Sequence, residues 1–309
     1  MSVSDSFTLC VDIGGTSTKA ALVGSDGTVQ LHRSIPTGPA DAHAFAAALA
    51  VLIAETEVAA AAAGIAAGAL GVAVAGFLDT KRTHLAYNPN LPWLVGFPLR
   101  EHLRTAFGLP VALEIDSNAA CMAEYLYGCG QGSRRFLCVT AGTGLGVGMA
   151  VDGAPLRFAH GCLGDIGHVI VEPEGPLCSC GGRGCAEALI SAPSIAAEYA
   201  RRTGLPTEGG LRDVIAAARR DDAVAKLLIT QAGRHLGIAI ASMANILFPD
   251  HIAIAGGLSA AEDLLLDAVA KSFQYSAGEF VRSGTTLSLA KLGANAPLIG
   301  AAWPFYAHH

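Results

Sequence analysis

Short apolar runs alternate with longer alanine-rich stretches along this sequence. The apolar runs, such as Leu70–Gly76 and the HIAIAGG segment from His251, adjoin glycines and have the length of buried strands. A further strand is predicted near Leu287. Apolar residues at helical spacing predict helices over Asp41–Ala63, Ser191–Arg202 and Asp222–Leu247. A further helix is predicted between the HIAIAGG strand and Leu287, and a closing helix at APLIGAAWPFY. This alternation predicts an α/β fold with mainly parallel or mixed sheets covered by helices.

Two segments share one pattern of apolar and small residues. LCVDIGGTSTKAALV begins at Leu9, and LCVTAGTGLGVGMAV begins at Leu137. Each consists of a short apolar strand, a Gly/Thr turn and a second apolar strand. Such a repeat indicates two similar α/β halves that face each other, although a chance match of so short a motif is the alternative.

Composition and charge narrow the class of protein. The chain has 309 residues, enough for two domains, and a net charge of −6 that favours neither nucleic acid nor an acidic membrane surface as a partner. The opening MSVSDSFTLC lacks the features of a signal peptide. The uncharged stretch Val58–Leu78 is mostly Ala and Gly, so we interpret it as a helix end, a turn near Gly64 and Gly68, and a buried strand. We therefore expect a soluble, cytoplasmic protein without membrane or nucleic-acid partners.

Three glycine-containing turns are candidates for binding a nucleotide, because backbone N–H groups in such turns can surround phosphate oxygens. The first, DIGGTSTK, contributes Asp12, Gly14, Gly15, Thr16 and Lys19. The second, GTGLGVG, contributes Gly142, Thr143, Gly144 and Gly146. A third, AIAGG, leaves room for a base or ribose at Gly256 and Gly257. Neither of the first two has the spacing of a Walker loop. Each alone could be an ordinary hairpin turn, but together they indicate a nucleotide held in a cleft between two domains.

Three of the eight cysteines lie within eight residues. Cys178, Cys180 and Cys185 can converge on one ion through tight glycine turns, and His168 can supply a fourth ligand. A site filled by four protein ligands is typical of structural zinc. A buried thiol cluster and an iron–sulfur site are the alternatives.

A single aspartate marks the end of another apolar strand. In VALEIDSN, Asp116 stands between the strand and the helical segment SNAACMAEYL. The residue pattern alone leaves two interpretations, a helix cap and a catalytic base.

The sequence resembles the ROK family of sugar kinases, a branch of the hexokinase and actin-like ATPase fold. The resemblance covers nearly the whole chain, and its most specific element is CSCGGRGCAE following GDIGH. It implies a two-domain, duplicated ribonuclease H-like α/β fold with an inter-domain cleft. We expect a small domain from residues 1–118 plus 296–309, and a large domain from 119–295 with the zinc-binding insertion. It also implies a homodimer.

The resemblance further implies transfer of the γ-phosphoryl group of ATP, with Mg²⁺, to a sugar hydroxyl, commonly O6 of a hexose. Asp12 would lie beside the Mg²⁺–phosphates, the first two glycine turns would hold the phosphates, and Gly256 and Gly257 would lie near adenosine. Asp116 would be the base for the sugar hydroxyl. Positions that match sugar-binding residues of the family are Asn90, Asp165, His168 and Glu187.

Two positions depart from the family pattern. Ile115 replaces the usual asparagine before the catalytic aspartate, and Asp165 replaces a longer glutamate. An apolar side chain against a sugar hydroxyl leaves that hydroxyl unpaired, which costs about 1–3 kcal/mol. We therefore expect a modified hexose, an amino sugar or a sugar-like cyclitol as substrate. The alternatives are a non-catalytic sugar-binding or regulatory protein of the same family, and an actin-fold ATPase with an iron–sulfur cluster.

Overall fold

A computed structural model describes residues 7–38 and 41–306 of the chain. His308 and His309, which are either natural or the remnant of a tag, lie outside this range, as do the first six residues. The strands are β1 Phe7–Ile13, β2 Ser17–Gly24, β3 Val29–Pro36, β4 Ala67–Val74, β5 Phe77–Leu78, β6 Leu85–Tyr87, β7 Val111–Ile115, β8 Arg135–Ala141, β9 Leu145–Val151, β10 Ala154–Pro155, β11 His251–Ala255 and β12 Thr286–Leu289. The helices are α1 Ala42–Ala62, α2 Leu99–Phe107, α3 Asp116–Tyr127, α4 Ala186–Ile190, α5 Ala192–Thr203, α6 Leu211–Arg219, α7 Ala223–Leu247, α8 Asp263–Ser276, α9 Glu279–Gly284, α10 Ala296–Gly300 and α11 Trp303–Tyr306.

The chain forms two compact units. The first unit comprises the residues up to Tyr127, Gly153–Leu163 and the residues from Ala294 onward, and the second comprises Gly128–Asp152 and Gly164–Gly293. The sequence-based boundary at 118 would divide helix α3, whereas the structure keeps all of that helix in the first unit. Gly300 of α10 explains this: a Cβ added there would lie 1.7 Å from the carbonyl oxygen of Ala119, so α3 and α10 touch backbone to backbone.

The described residues form two five-stranded sheets, and the strands of the two sheets follow equivalent orders. The first is ordered β3-β2-β1-β4-β7 and the second β10-β9-β8-β11-β12. In both, the central strand pairs antiparallel with the strand that follows it and parallel with a later strand, as β1 does with β2 and β4, and β8 with β9 and β11. The repeated segments are therefore the equivalent hairpins β1–β2 and β8–β9, as their shared pattern predicts.

Within the described residues, helix α1 has the length and composition of a membrane span. Its mean hydropathy is 1.8, yet Phe45, Leu49 and Ile53 are buried in one apolar cluster with the strands of the first unit. The i, i+4 spacing of these residues places them on one face of the helix. Asp41 caps the helix by accepting hydrogen bonds from the N–H groups of His43 and Ala44. Helix α1 thus occupies the position of a core helix against a sheet.

The candidate residues cluster at the carboxyl ends of strands. Asp12 lies at the end of β1, Asp116 directly follows β7, Gly142 follows β8 and Gly256 follows β11. In open α/β sheets, ligands bind beyond the carboxyl ends of the parallel strands. Each unit therefore presents its candidate chemistry where this fold class binds ligands.

Candidate active site

The first glycine turn places a carboxylate beside a cation. Asp12 is 7% exposed, and Lys19 stands opposite it on β2, with Nζ 3.4 Å from Oδ2 of Asp12. Lys19 Nζ also donates a hydrogen bond of 3.0 Å to the carbonyl of Ala294, which fixes the ammonium group at this end of the sheet. Burial raises the pKa of Asp12, and the neighbouring ammonium opposes that rise.

The same turn contacts the NPNLPW segment. Gly14 donates its N–H to the carbonyl of Ser17 at 3.1 Å, which closes the turn. A Cβ added to Gly15 would lie 3.8 Å from Cβ of Asn90, one of the predicted sugar-binding residues. The structure thus brings Asn90 next to the first glycine turn.

Asn88 is a positioning residue that the sequence prediction did not include. It is buried, and its Nδ2 donates to the carbonyl of Ala75 at 2.8 Å. Its Oδ1 accepts from the N–H groups of Asn90 and Leu91 at 2.7 and 3.2 Å. The amide therefore fixes the loop that presents Asn90. The signal in the sequence was the first Asn of the Asn-Pro-Asn motif, since Asn side chains often bond the backbone two residues on.

Asp116 is the first residue of α3 and is partly buried. Its Oδ1 accepts a 2.7 Å hydrogen bond from the N–H of Ser117. This differs from the bond of a capping aspartate, which accepts from an N–H two or three residues on. Burial, followed by the negative charge of Asp12, raises the pKa of Asp116 to about 6. A carboxylate with a raised pKa at a strand end is a candidate general base.

A buried ionic cluster supports the strand that carries Asp116. Glu114 is 1% exposed and pairs through Oε2 with the guanidinium groups of Arg82, at 3.3 Å, and Arg157. Its Oε1 accepts hydrogen bonds of 3.0 Å from the N–H of Ile115 and from Nδ2 of Asn118. No sequence motif marks this cluster, because its members come from separate segments of the chain.

Ile115, the departure from the family pattern, is 4% exposed. A Cβ added to Gly161 would lie 3.7 Å from Cδ1 of Ile115 and 3.9 Å from the aliphatic stem of Arg82. Nδ2 of Asn118 donates to the Gly161 carbonyl at 2.8 Å, which holds this contact in place. The residue before the candidate base is therefore packed as an apolar side chain.

The second glycine turn is closed by its own backbone and bonded to the chain around α4. Gly142 donates its N–H to the carbonyl of Gly144 at 2.9 Å, and the Gly142 carbonyl accepts from the N–H of Ala192 at 2.7 Å. The N–H of Leu145 donates to Oε2 of Glu187 at 3.0 Å. The predicted sugar ligand Glu187 thus lies directly against the turn.

Gly256, the first glycine of AIAGG, lies beside this turn for a steric reason. Its φ is +88°, and a Cβ there would lie 2.3 Å from the carbonyl oxygen of Ala141, the last residue of β8. Any larger residue would separate the neighbouring strand ends. The structure therefore brings Gly256 next to Ala141, the residue that precedes Gly142.

Three predicted sugar-binding residues of the second unit gather around Gly167. A Cβ added to Gly167 would lie 3.2 Å from Oε2 of Glu187 and 3.4 Å from Oδ1 of Asp165. Nε2 of His168 lies 3.6 Å from Oδ2 of Asp165. Asn90, the fourth predicted sugar-binding residue, belongs to the first unit, as does the candidate base Asp116.

The predicted zinc ligands converge. One ligand atom from each of His168, Cys178, Cys180 and Cys185 lies within 4.8 Å of the other three. Cys180 Sγ and Cys185 Sγ are 3.7 Å apart, and Cys178 Sγ is 3.7 Å from Nδ1 of His168. Sulfur ligands about 2.3 Å and a nitrogen ligand about 2.0 Å from a tetrahedral ion would be about 3.5–3.8 Å apart, so the observed separations fit zinc.

Two glycines with positive φ make this convergence possible. Gly181, φ +88°, forms the turn between Cys180 and Cys185, and its N–H donates to the carbonyl of Cys178 at 3.0 Å. A Cβ on Gly184, φ +71°, would lie 1.7 Å from the carbonyl oxygen of Glu172. The four ligands leave no position for a reacting water, which is typical of a structural site.

Two sheets of equivalent order, with glycine turns and an aspartate at their strand ends, are the architecture of the two-domain actin-like ATPase fold, for which phosphoryl transfer is the expected chemistry. Comparison with known proteins gives the particular family. The model of the ROK family matches residues 8–307, and the chain belongs to that family.

Relatives of the chain include sugar kinases. Glucokinase of Streptomyces coelicolor is 34% identical over 312 residues, which cover 96% of this chain and 96% of the relative. N-acetylmannosamine kinase of Shigella boydii is 34% identical over 297 residues, covering 96% and 97%. The crystal structure of a ROK glucokinase from Streptomyces griseus, in complex with glucose and AMPPNP, has 33% identity and a TM-score of 0.83, covering 96% and 98%. The predicted family, fold and class of enzyme, a carbohydrate phosphotransferase, are thereby confirmed.

Proposed function

We propose that this enzyme transfers the γ-phosphoryl group of ATP to a hydroxyl, O6, of a modified hexose, with Asp116 as the general base. The observation that carries this proposal is the position of Asp116 at a strand end, with a pKa of about 6. Such a carboxylate is ionised at neutral pH and can accept the proton of the attacking hydroxyl. Phosphoryl transfer otherwise requires mainly positioning and neutralisation of charge, which the remaining candidate residues supply.

The nucleotide would be held by the glycine turns. Their backbone N–H groups, with Thr16 and Lys19, would bind phosphate oxygens, and Gly256 and Gly257 would leave room for adenosine. Asp12 fits a role beside Mg²⁺, because it is a buried carboxylate at the phosphate turn. When bound, Mg²⁺ would neutralise charge on the phosphates. The AMPPNP complex of the Streptomyces griseus relative supports ATP as the phosphoryl donor.

The sugar would be held by Asn90, Asp165, His168 and Glu187. The sequence identities do not distinguish between candidate sugars, since the glucokinase and the N-acetylmannosamine kinase are both 34% identical to this chain. The buried Ile115 favours a substrate that does not need a hydrogen bond at that position. We infer an amino or N-acetylated hexose, with a cyclitol as the second candidate.

A panel of substrates tests this proposal. ADP release would be measured with glucose, mannose, fructose, their amino and N-acetyl forms, and cyclitols. We expect a modified hexose to give the highest kcat/KM; a maximum for glucose would contradict the substrate assignment. Absence of ADP release with every compound would favour a non-catalytic sugar-binding protein.

The Ile115→Asn variant tests the residue that carries the substrate inference. A new hydrogen bond to glucose should raise kcat/KM for glucose about 3–10-fold relative to the preferred substrate. Ile115→Leu is the matched control, because it keeps an apolar side chain of equal volume. An unchanged ratio in the Asn variant would show that Ile115 does not face the sugar.

We also propose the remaining features implied by the family. The cysteine cluster would bind zinc in a structural role, and the enzyme would be a cytoplasmic homodimer acting on a small molecule without nucleic acid or membrane. The donor set and its separations support zinc. The net charge of −6 supports the absence of a nucleic-acid partner.

A further inference from the structure

The second glycine turn is held from outside by one short segment of chain. Helix α4 begins at Ala186, the penultimate residue of CSCGGRGCAE, and Glu187 lies in its first turn. Oε2 of Glu187 accepts from the N–H of Leu145 at 3.0 Å. Just beyond the helix, the N–H of Ala192 donates to the carbonyl of Gly142 at 2.7 Å. Both ends of the turn are therefore bonded to the segment 187–192.

From this we propose that Glu187 is a positioning residue for nucleotide binding, because it fixes the turn 142–145 in the shape that binds phosphate. This role is additional to the sugar contact expected of Glu187, and it rests on the proposed function of the turn. The bond goes to a backbone N–H, so it determines the orientation of the peptide groups in the turn rather than that of a side chain. The N–H of Leu145 donates to Glu187 and that of Gly142 donates to the Gly144 carbonyl, so the N–H groups that the turn would offer to phosphate are those of Thr143 and Gly144.

Gly144 shows how closely the carboxylate and the turn fit. A Cβ added to Gly144 would lie 2.7 Å from Oε2 of Glu187 and meet no other atom closer than 3.6 Å. Glutamate is flexible, so an alanine at 144 would displace the carboxylate and break its bond to Leu145. The absence of a side chain at 144 is therefore required by Glu187 specifically, and the two residues should be energetically coupled.

A double-mutant cycle tests this coupling. The affinity for Mg²⁺·AMPPNP would be measured by calorimetry, without sugar, for wild type, Gly144→Ala, Glu187→Ala and the double variant. Each single change should weaken binding about tenfold or more, as expected for loss of a charge-assisted hydrogen bond. The double variant should be no weaker than the weaker single variant, because both changes break the same bond. Multiplicative losses would overturn the inference.

The Glu187→Gln variant tests whether the hydrogen bond to Leu145, rather than general structural support by Glu187, maintains nucleotide affinity. Gln can accept from the Leu145 N–H, so Glu187→Gln should bind Mg²⁺·AMPPNP within about threefold of wild type. Hydrogen exchange at the Leu145 amide should accelerate in Glu187→Ala and remain slow in Glu187→Gln. If the Gln variant lost nucleotide affinity as severely as the Ala variant, hydrogen bonding to Leu145 would not be the cause.

Gly284→Ala is the control variant, and binding of Mg²⁺·AMPPNP by wild type is the reference measurement. Gly284→Ala adds the same methyl group in the same unit at a position with no atom within 4 Å, so its effect should be independent of Glu187. Failure of wild type itself to bind Mg²⁺·AMPPNP would overturn the proposed function and, with it, this inference. Nucleotide binding by wild type with uncoupled effects of the two variants would overturn the inference alone.

Discussion

The carboxylate of Asp116 lies where two effects oppose its ionisation. Burial withdraws it from water, and the negative charge of Asp12 acts on it, so its pKa rises to about 6. The folded protein therefore binds a proton at this site between about pH 4 and 6, where the unfolded chain has already lost it. Ionisation of Asp116 therefore lowers the free energy of unfolding, and the same raised pKa makes its carboxylate a stronger base.

Asp116→Asn should separate catalysis from binding. The amide keeps the shape of the side chain but accepts no proton, so kcat should fall about 10²–10⁴-fold while the sugar still binds. ADP release and sugar calorimetry measure the two effects. Asp263→Asn is the control, since Asp263 is also the first residue of a helix but is exposed. Near-normal turnover of Asp116→Asn would remove Asp116 from the role of base.

Titration of Asp116 should make both kcat/KM and the free energy of unfolding depend on pH. The kcat/KM of wild type should rise with pH up to about 6 and level off above it, as Asp116 loses its proton. The free energy of unfolding should fall as the pH rises from about 4 to 6, because the pKa of Asp116 is higher in the native protein than in the unfolded chain. Asp116→Asn should therefore be more stable than wild type at pH 7, by up to about 3 kcal/mol in urea titrations.

Residues within one motif were predictable, and residues that support them were not. The cysteines belong to a short segment whose spacing indicates metal binding, and Asp12 and Asp116 became candidates through the motifs that resemble the family. Glu114 and Arg157 meet only because their segments fold together, and an arginine or glutamate by itself carries no such signal. Supporting contacts between distant segments are therefore the part of the site that required the structure.

Among the elements, strand β7 depends on the Glu114 cluster, which joins it to Arg82 and Arg157. Removing one member of a buried ion pair leaves the partner charge uncompensated. Glu114→Gln should therefore lower the free energy of unfolding by about 3 kcal/mol and reduce kcat, measured by urea titration and ADP release. Glu101→Gln removes an exposed pair with Arg104 and should leave the unfolding midpoint nearly unchanged. Equal effects of the two changes would contradict a supporting role for Glu114.

The zinc-binding insertion should depend on its metal. Chelation should remove a single zinc ion per chain, detectable by metal analysis, and should lower the thermal unfolding midpoint. Re-addition should restore stability by about 1.4 kcal/mol for each tenfold rise in free zinc above its Kd. Cys185→Ser should abolish this response, whereas Cys129→Ser, outside the cluster, should retain it. Iron in place of zinc would contradict the assignment.

The long elements were predictable because their ends carry clear signals. Asp41, Ser191 and Asp222 each cap a predicted helix through a side-chain oxygen. The closing helix was predicted as one element, but the structure divides it into α10 and α11. Pro304 lies at the second position of α11 and lacks the N–H that a continuous helix would need.

At the scale of the whole molecule, the duplication was visible in the sequence and the boundaries were not. Matching hairpins share a pattern of residues, whereas the assignment of Gly153–Leu163 to the first unit depends on tertiary contacts of Arg157 and Gly161. A boundary defined by such contacts is not accompanied by a change in the amino-acid composition of the chain.

The proposed homodimer is a prediction at this scale. Light scattering coupled to gel filtration should give about 63 kDa, twice the mass of 31.4 kDa of one chain. The measurement should be repeated at high salt and over a range of concentrations, to separate a stable dimer from weak association. A mass of a single chain throughout would contradict the prediction.

The backbone contact between α3 and Gly300 has a consequence for biosynthesis. The helix that begins with Asp116 leaves the ribosome early, but α10 is synthesised after the whole of the second unit. Most proteins fold their N-terminal domain first during translation. Here we expect the reverse order, in which the second unit folds while the first waits for the residues that complete its core. Nascent chains arrested before α10 emerges should therefore lack activity even though every catalytic residue has already been made.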